Sequence, residues 1–81
     1  DDVLINNNNV IDLQPSEGGY SAAIVTDSAS ARILNNVMMS RIGNIYGNMG
    51  SAAVCSRNLA IGLTTDGFEW CTQSVNNTSQ P

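Results

Sequence analysis

Two cysteines in a chain of only 81 residues are the feature that most constrains what this sequence can fold into. A chain this short forms one domain and buries only about 60 to 65% of the surface that its unfolded form exposes. Domains of this size usually gain stability from a disulfide, a metal ion or a partner chain. The sequence has no histidine, and two cysteines are too few ligands for a structural zinc site. We therefore expect no metal and no cofactor, which leaves a disulfide, a partner chain, or both.

The clearest local signal is Asp66-Gly67, which lies between two β-prone runs and is typical of a two-residue hairpin loop. One face of the predicted hairpin is bulky and apolar, and this makes its register well specified. That face consists of Ile61, Leu63, Phe68 and Trp70. We expect these side chains to be core residues, and a sugar-stacking platform formed by Phe68 and Trp70 is the alternative.

A helix that could cover the apolar face is predicted in the middle of the chain. Asp27-Ser28 offers an N-cap, and the run that follows has apolar residues at steps of three and four. The apolar stripe consists of Ile33, Leu34, Val37, Met38, Ile42, Ile45 and Met49. Small residues form a second stripe, among them Ser40, Gly43 and Gly47. We expect close packing at Gly43 and the end of the helix near Gly47 to Gly50. The stripe is alternatively an interface with a partner chain.

Three strands are predicted before the helix, so the expected order of elements is β-β-β-α-β-β. The expected fold class is α+β, with an antiparallel β-sheet and one main helix packed across a face, which a second chain could complete. We expect residues 1–75 to form the single domain, and we interpret residues 76–81 as a polar C-terminal tail. No internal repeat is visible.

Cys55 and Cys71 are expected to be oxidised, but their partners stay open. Two cysteines in a secreted chain usually pair with each other. In the predicted hairpin, however, a straight strand after Cys55 would place the two Cα atoms more than about 20 Å apart, whereas a disulfide needs them within about 7 Å. An internal bond therefore requires a turn near Ser56, Arg57 and Asn58. Otherwise each cysteine bonds a partner chain.

The charge balance is acidic, with a net charge of −4, three arginines and no lysine. This argues against nucleic-acid binding, because phosphate contacts need clustered lysine and arginine.

The missing initiator methionine and the missing lysine lead us to expect a secreted, extracellular protein cut from a precursor at paired basic residues, although lysine can be absent by chance. Asn76 and Asn77 begin two overlapping N-glycosylation sequons and are candidate modification sites.

The sequence predicts no enzyme activity. Histidine, the commonest general base, is absent. Asp27 is explained by the helix cap and Asp66 by the hairpin turn, while Glu69 is expected on an exposed sheet face. No metal spacing, phosphate loop or nucleophile motif occurs, so we expect no catalytic, cofactor or metal site.

The segment from Asn36 to Gly47, NVMMSRIGNIYG, resembles a helix of the small subunits of secreted yeast killer toxins of the salt-mediated type. The resemblance implies a second, more hydrophobic chain from the same precursor, released by a dibasic protease. It also implies that the toxin harms sensitive fungal cells by perturbing the plasma membrane, with that membrane or a surface receptor as target. The chain departs from cysteine-rich killer toxins in having only Cys55 and Cys71.

The first hypothesis is therefore a subunit of a secreted two-chain antifungal killer toxin. One alternative is a secreted binding module that exposes Phe68, Trp70 or Tyr20 to a glycan or a cell-surface receptor. The other is a structural surface-assembly subunit without toxicity. A copurifying second chain would favour the toxin subunit. A fluorescence change with added oligosaccharide would favour the binding module, and concentration-dependent self-assembly would favour the structural subunit.

Overall fold

The computed structural model describes residues 3–11, 21–40 and 45–81. Strands dominate this part of the chain, and its one helical element is a 3₁₀ turn at Phe68–Trp70. The strands are β1 (Leu4–Asn6), β2 (Asn9–Val10), β3 (Ser21–Val25), β4 (Arg32–Leu34), β5 (Val37–Met39), β6 (Ile45–Met49), β7 (Ala52–Ser56), β8 (Leu59–Ile61), β9 (Cys71–Val75) and β10 (Thr78–Gln80).

Successive strands belong to different sheets, and the chain returns to each sheet in turn. Sheet A has the order β1-β4-β7-β9, sheet B has the order β10-β8-β5-β2, and sheet C pairs β3 with β6. Every pairing between these strands is parallel. A chain that winds through three parallel sheets in this way forms a parallel β-helix, in which each turn stacks on the one before.

We number the turns as coils. Coil 1 contains β1, β2 and β3, and coil 2 contains β4, β5 and β6. Coil 3 contains β7, β8 and Thr65, which extends sheet C through a parallel bridge to Tyr46. Coil 4 contains β9 and β10.

The corner between sheets A and B has the same two-residue form in all four coils. Its first residue has a left-handed backbone, which asparagine adopts more readily than most residues. These residues are Asn7, Asn35, Arg57 and Asn76, with φ of 60, 58, 59 and 60°. An asparagine follows each of them, and we call Asn8, Asn36, Asn58 and Asn77 the asparagine ladder.

Side-chain hydrogen bonds connect the ladder from coil to coil. The Oδ1 atom of Asn58 accepts hydrogen bonds from the backbone N–H of Asn36 at 2.9 Å and from its Nδ2 at 3.0 Å. The Nδ2 of Asn58 donates to the carbonyl oxygen of Ile33 at 2.9 Å and to Oδ1 of Asn77 at 2.9 Å. Asn36 repeats this pattern with Asn8 and with the carbonyl of Ile5. The ladder thus sets the register in which the coils stack.

Inward-facing side chains stack above one another to form a narrow core. In sheet A, Ile33 lies in register with both Ile5 and Cys55, and in sheet B Met38 lies in register with Ala60. The buried members of the core cluster are Ile24, Ala31, Ile33, Met38, Ala52, Cys55, Ala60, Phe68 and Cys71. Within coil 4, β9 contributes only Cys71 and β10 has no buried residue. Coil 4 is therefore weakly held by apolar packing.

The prediction of an α+β fold with an antiparallel sheet and one main helix is wrong. The residues of the apolar stripe that the structure describes belong to β4, β5 and β6 instead of one helix. Ile33, Met38 and Ile45 are fully buried, one in each of three successive strands. The strands are short and the corner between β4 and β5 has only two residues, so apolar residues recur every few positions, as they do in an amphipathic helix.

The predicted hairpin at Asp66-Gly67 is also wrong. The backbone N–H of Gly47 donates to the carbonyl of Thr65 at 2.8 Å, so the run before Gly67 pairs with β6. After Gly67 the chain enters the 3₁₀ turn and continues into coil 4. The predicted apolar face is consequently divided, since Phe68 is 4% exposed and Trp70 is 44% exposed.

The disulfide joins Cys55 to Cys71 within the chain, and this resolves the alternative that the sequence left open. The two cysteines lie on β7 and β9, which are neighbours in sheet A, and their Cα atoms are 5.9 Å apart. The turn that an internal bond required is present at Arg57 and Asn58, where the chain turns from sheet A into sheet B. The bond thus links coil 3 to coil 4.

Residues 76–81, which were predicted to be a polar tail, contribute to the coil stack. Asn77 is a member of the ladder, and Thr78 to Gln80 form β10 beside β8. The sequence interpretation missed this because each side chain of β10 is exposed and polar.

Candidate functional site

A groove with a volume of about 390 Å³ lies at sheet C and the 3₁₀ turn that follows Gly67. Tyr46 and Met49 of β6 line it, together with Thr65 and with Glu69 and Trp70 of the 3₁₀ turn. Its volume falls within the range of about 300 to 1,000 Å³ that is usual for ligand-binding clefts.

Backbone pairing between coils 2 and 3 places Tyr46 beside Thr65. Besides the bridge between these residues, the N–H of Asn48 donates to the carbonyl of Asp66 at 2.9 Å. The approach of the two segments is close at Gly47, where a Cβ atom would lie 2.6 Å from the carbonyl oxygen of Asp66. Glycine at this position therefore allows coil 3 to run alongside β6.

The turn around Gly67 positions the aromatic end of the groove. Gly67 has a φ of 76°, and a Cβ atom there would overlap the carbonyl oxygen of Asn48. The Oδ1 of Asp66 accepts the backbone N–H of Phe68 at 3.1 Å, which supports the start of the 3₁₀ turn. Burial of Phe68 in the core then leaves Trp70, two residues later, at the surface.

The polar groups of the groove include the hydroxyl of Thr65 and the carboxylate of Glu69. Thr65 donates through Oγ1 to Oε1 of Glu69 at 3.3 Å, and the side chain of Glu69 is exposed. The lining thus combines two aromatic rings and a thioether with groups that accept hydrogen bonds. Such a surface suits a ligand that has both apolar C–H faces and hydroxyl groups.

The residues described by the structure include no group of three or more histidine, cysteine, aspartate or glutamate residues that could hold a metal ion. In the same residues, no helix has the length and apolar character needed to span a membrane.

The residues predicted as a partner interface are not brought together as a helix face. Ser40 follows β5 and is 4% exposed, while Gly47 is buried within β6. Gly43 lies outside the described residues, as does Tyr20, which was one of the aromatic residues proposed for a binding module.

The sequence analysis missed Tyr46 and Met49 as groove residues because it predicted a helix for this segment, with Met49 on its apolar stripe. The signal that was available is Gly47 beside Tyr46, since a glycine within a strand often marks close approach of another backbone. Trp70 was considered for a sugar-stacking platform, but together with Phe68, which is buried.

The two overlapping sequons differ in the freedom of their asparagine side chains. The Nδ2 atom of Asn77 donates to the carbonyl of Cys55 at 2.9 Å and to Oγ of Ser74 at 3.1 Å. An attached sugar would occupy that nitrogen and disrupt the ladder. Asn76 is exposed at the same corner and is not a member of the ladder.

We therefore predict that the folded chain, when secreted by a eukaryotic host, carries sugar at Asn76 and not at Asn77. Ser79→Ala removes the sequon of Asn77 and should leave the mass of the attached glycan unchanged. Thr78→Ala removes the sequon of Asn76 while keeping that of Asn77, and should give the unmodified mass. Intact-mass measurement of the folded variants checks this prediction. A glycan on folded Thr78→Ala protein would contradict the assignment of the sugar to Asn76.

No family model, curated protein or solved structure matches this chain. The class that the chain's own geometry defines is a parallel β-helix with a groove on sheet C that contains aromatic residues.

Proposed function

We propose that this chain is a secreted saccharide-binding module and that the groove on sheet C is its binding surface. The observation that carries the proposal is Trp70, which is 44% exposed in the same groove as Tyr46 and Glu69. An indole ring left at the surface inside a concave site is a favourable platform for a ligand with a flat apolar face.

The chemistry of a pyranose ring fits this lining. One face of the ring carries C–H bonds that can pack on Trp70 or Tyr46. The hydroxyl groups at its edge can donate to the exposed carboxylate of Glu69, which already accepts from Thr65. Packing and edge hydrogen bonds together give affinity and orientation, as in other clefts that combine apolar walls with few polar groups.

Intrinsic fluorescence tests the proposal directly, because Trp70 is the one tryptophan of the chain. Titration with neutral β-1,4-linked tetrasaccharides should give a saturable change in the emission of Trp70. Calorimetry on Trp70→Ala should show affinity weaker by about tenfold, since an aromatic contact contributes about 0.5 to 1.5 kcal/mol beyond area burial.

Val75→Ala is the matched control, because Val75 is an apolar residue of β9 that is 53% exposed and does not line the groove. This variant should bind like the parent chain. An equal loss in both variants, or no saturable response to any tetrasaccharide of a broad panel, would reject the groove as a saccharide site.

The killer-toxin hypothesis stays a prediction, as does the surface-assembly alternative. The resemblance was to a helix, whereas the described parts of the segment from Asn36 to Gly47 form a corner and strands. We therefore favour the binding module, and a second chain that copurifies from the native source would restore the toxin subunit as the leading hypothesis.

A further inference from the structure

The charged residues that the structure describes around the groove have one sign. Glu69 lines the groove, and Asp66 belongs to the same turn. The carboxylate of Asp66 accepts a hydrogen bond from the hydroxyl of Ser79. The chain has no lysine or histidine. Of the arginines, Arg32 lies on β4 of sheet A, Arg57 lies at the corner between sheets A and B, and Arg41 lies outside the described residues. None of the five lining residues is a cation.

The carboxylate of Glu69 is also available to a ligand. Its Oε1 atom accepts from Thr65, and Oε2 accepts no hydrogen bond from the described residues. A hydroxyl or an ammonium group of a bound sugar can donate to Oε2, whereas a sugar carboxylate or sulfate offers no proton and meets a like charge.

We propose that the groove selects its saccharide by charge, accepting neutral and amine-bearing sugars and disfavouring uronates and sulfated sugars. This inference rests on the proposed function, because it specifies the ligand class of the same groove. The discrimination arises from Glu69 at the groove, and the net charge of the chain plays a smaller part.

Three tetrasaccharides with one β-1,4-linked glucose-type backbone test this selection: cellotetraose, its C6-oxidised carboxylate form, and chitosan tetraose with free amines. At low salt we expect the amine form to bind about two- to fivefold more tightly than cellotetraose, and the carboxylate form to bind more weakly by a similar factor. Raising the salt to about 1 M should bring the three affinities together, since the screening length then falls to about 3 Å.

Glu69→Gln removes the charge and keeps the shape of the side chain, so it should also bring the three affinities together. Asp27→Asn is the matched control, because it makes the same change in net charge at an exposed residue that does not line the groove. It should preserve the order of affinities.

Equal binding of the three sugars by the parent chain, or tighter binding of the carboxylate form, overturns the charge selection and leaves the saccharide site standing. An equal effect of Asp27→Asn and Glu69→Gln overturns the assignment to Glu69. Absence of binding by all three sugars overturns the proposed function and this inference with it.

Discussion

Replacing Asn58 by alanine is expected to lower the free energy of unfolding by about 3 to 5 kcal/mol, because two buried backbone groups lose their partner and each unsatisfied group costs about 1 to 3 kcal/mol. Asn58 is 1% exposed and has ladder hydrogen bonds on both sides. Its removal leaves the buried N–H of Asn36 and the carbonyl of Ile33 without those partners. Urea denaturation followed by circular dichroism measures the loss.

Asn8→Ala is the control for the Asn58 variant, since it makes the same substitution at the exposed beginning of the ladder. Among the described residues, Asn8 donates only to Oδ1 of Asn36, through its backbone N–H and its side chain. The backbone bond survives the substitution. A loss of about 1 kcal/mol or less is expected for it. Similar losses in the two variants would show that the ladder bonds do not stabilise the stack.

The repeat that defines this fold was present in the sequence and was not recognised. Each coil has a left-handed corner residue and then a ladder asparagine, but the distance between successive asparagines changes from 28 to 22 to 19 residues. A search for repeats of fixed length cannot detect a pattern whose spacing varies in this way. In the first coil, Asn7 and Asn8 were not recognised as a corner, and in the last coil, Asn76 and Asn77 were interpreted as sequons.

The secondary structure was mispredicted because its elements are short. Strands of two to five residues are too brief to show the alternation that marks a longer strand. The sequence analysis identified inward residues such as Ile33 and Met38, but it did not identify the corner at Asn35 and Asn36 that separates them. Only pairing with the neighbouring coils, which is non-local, distinguishes these strands from a helix.

The disulfide could be predicted because it depends on chain length and cysteine number more than on fold. The pairing of Cys55 with Cys71 could not be settled from the sequence. The expected distance of more than about 20 Å between their Cα atoms assumed an antiparallel hairpin. The candidate groove was partly accessible from sequence, as Trp70 had been considered for sugar stacking. Tyr46 joins it only because coil 2 and coil 3 stack in register, and this depends on the whole fold.

Removal of the disulfide, through Cys55→Ala with Cys71→Ala or by reduction, is expected to lower the free energy of unfolding by about 3 kcal/mol. The bond spans 16 positions in sequence and joins β7 to β9. The loss should be greatest in coil 4, whose strands bury only Cys71 in the core. Amide hydrogen exchange should therefore accelerate more at residues 71–80 than in β4 and β5.

The same change should weaken the groove, because Glu69 and Trp70 directly precede Cys71. We expect the emission of Trp70 to shift on reduction and saccharide affinity to fall, while the corner at Asn35 and Asn36 keeps its exchange protection. The double alanine variant controls for the reductant, since a chain with no cysteine should not respond to it. Uniform acceleration of exchange across all coils would mean that the four coils unfold as one unit, and that the disulfide stabilises the whole stack without preference for coil 4.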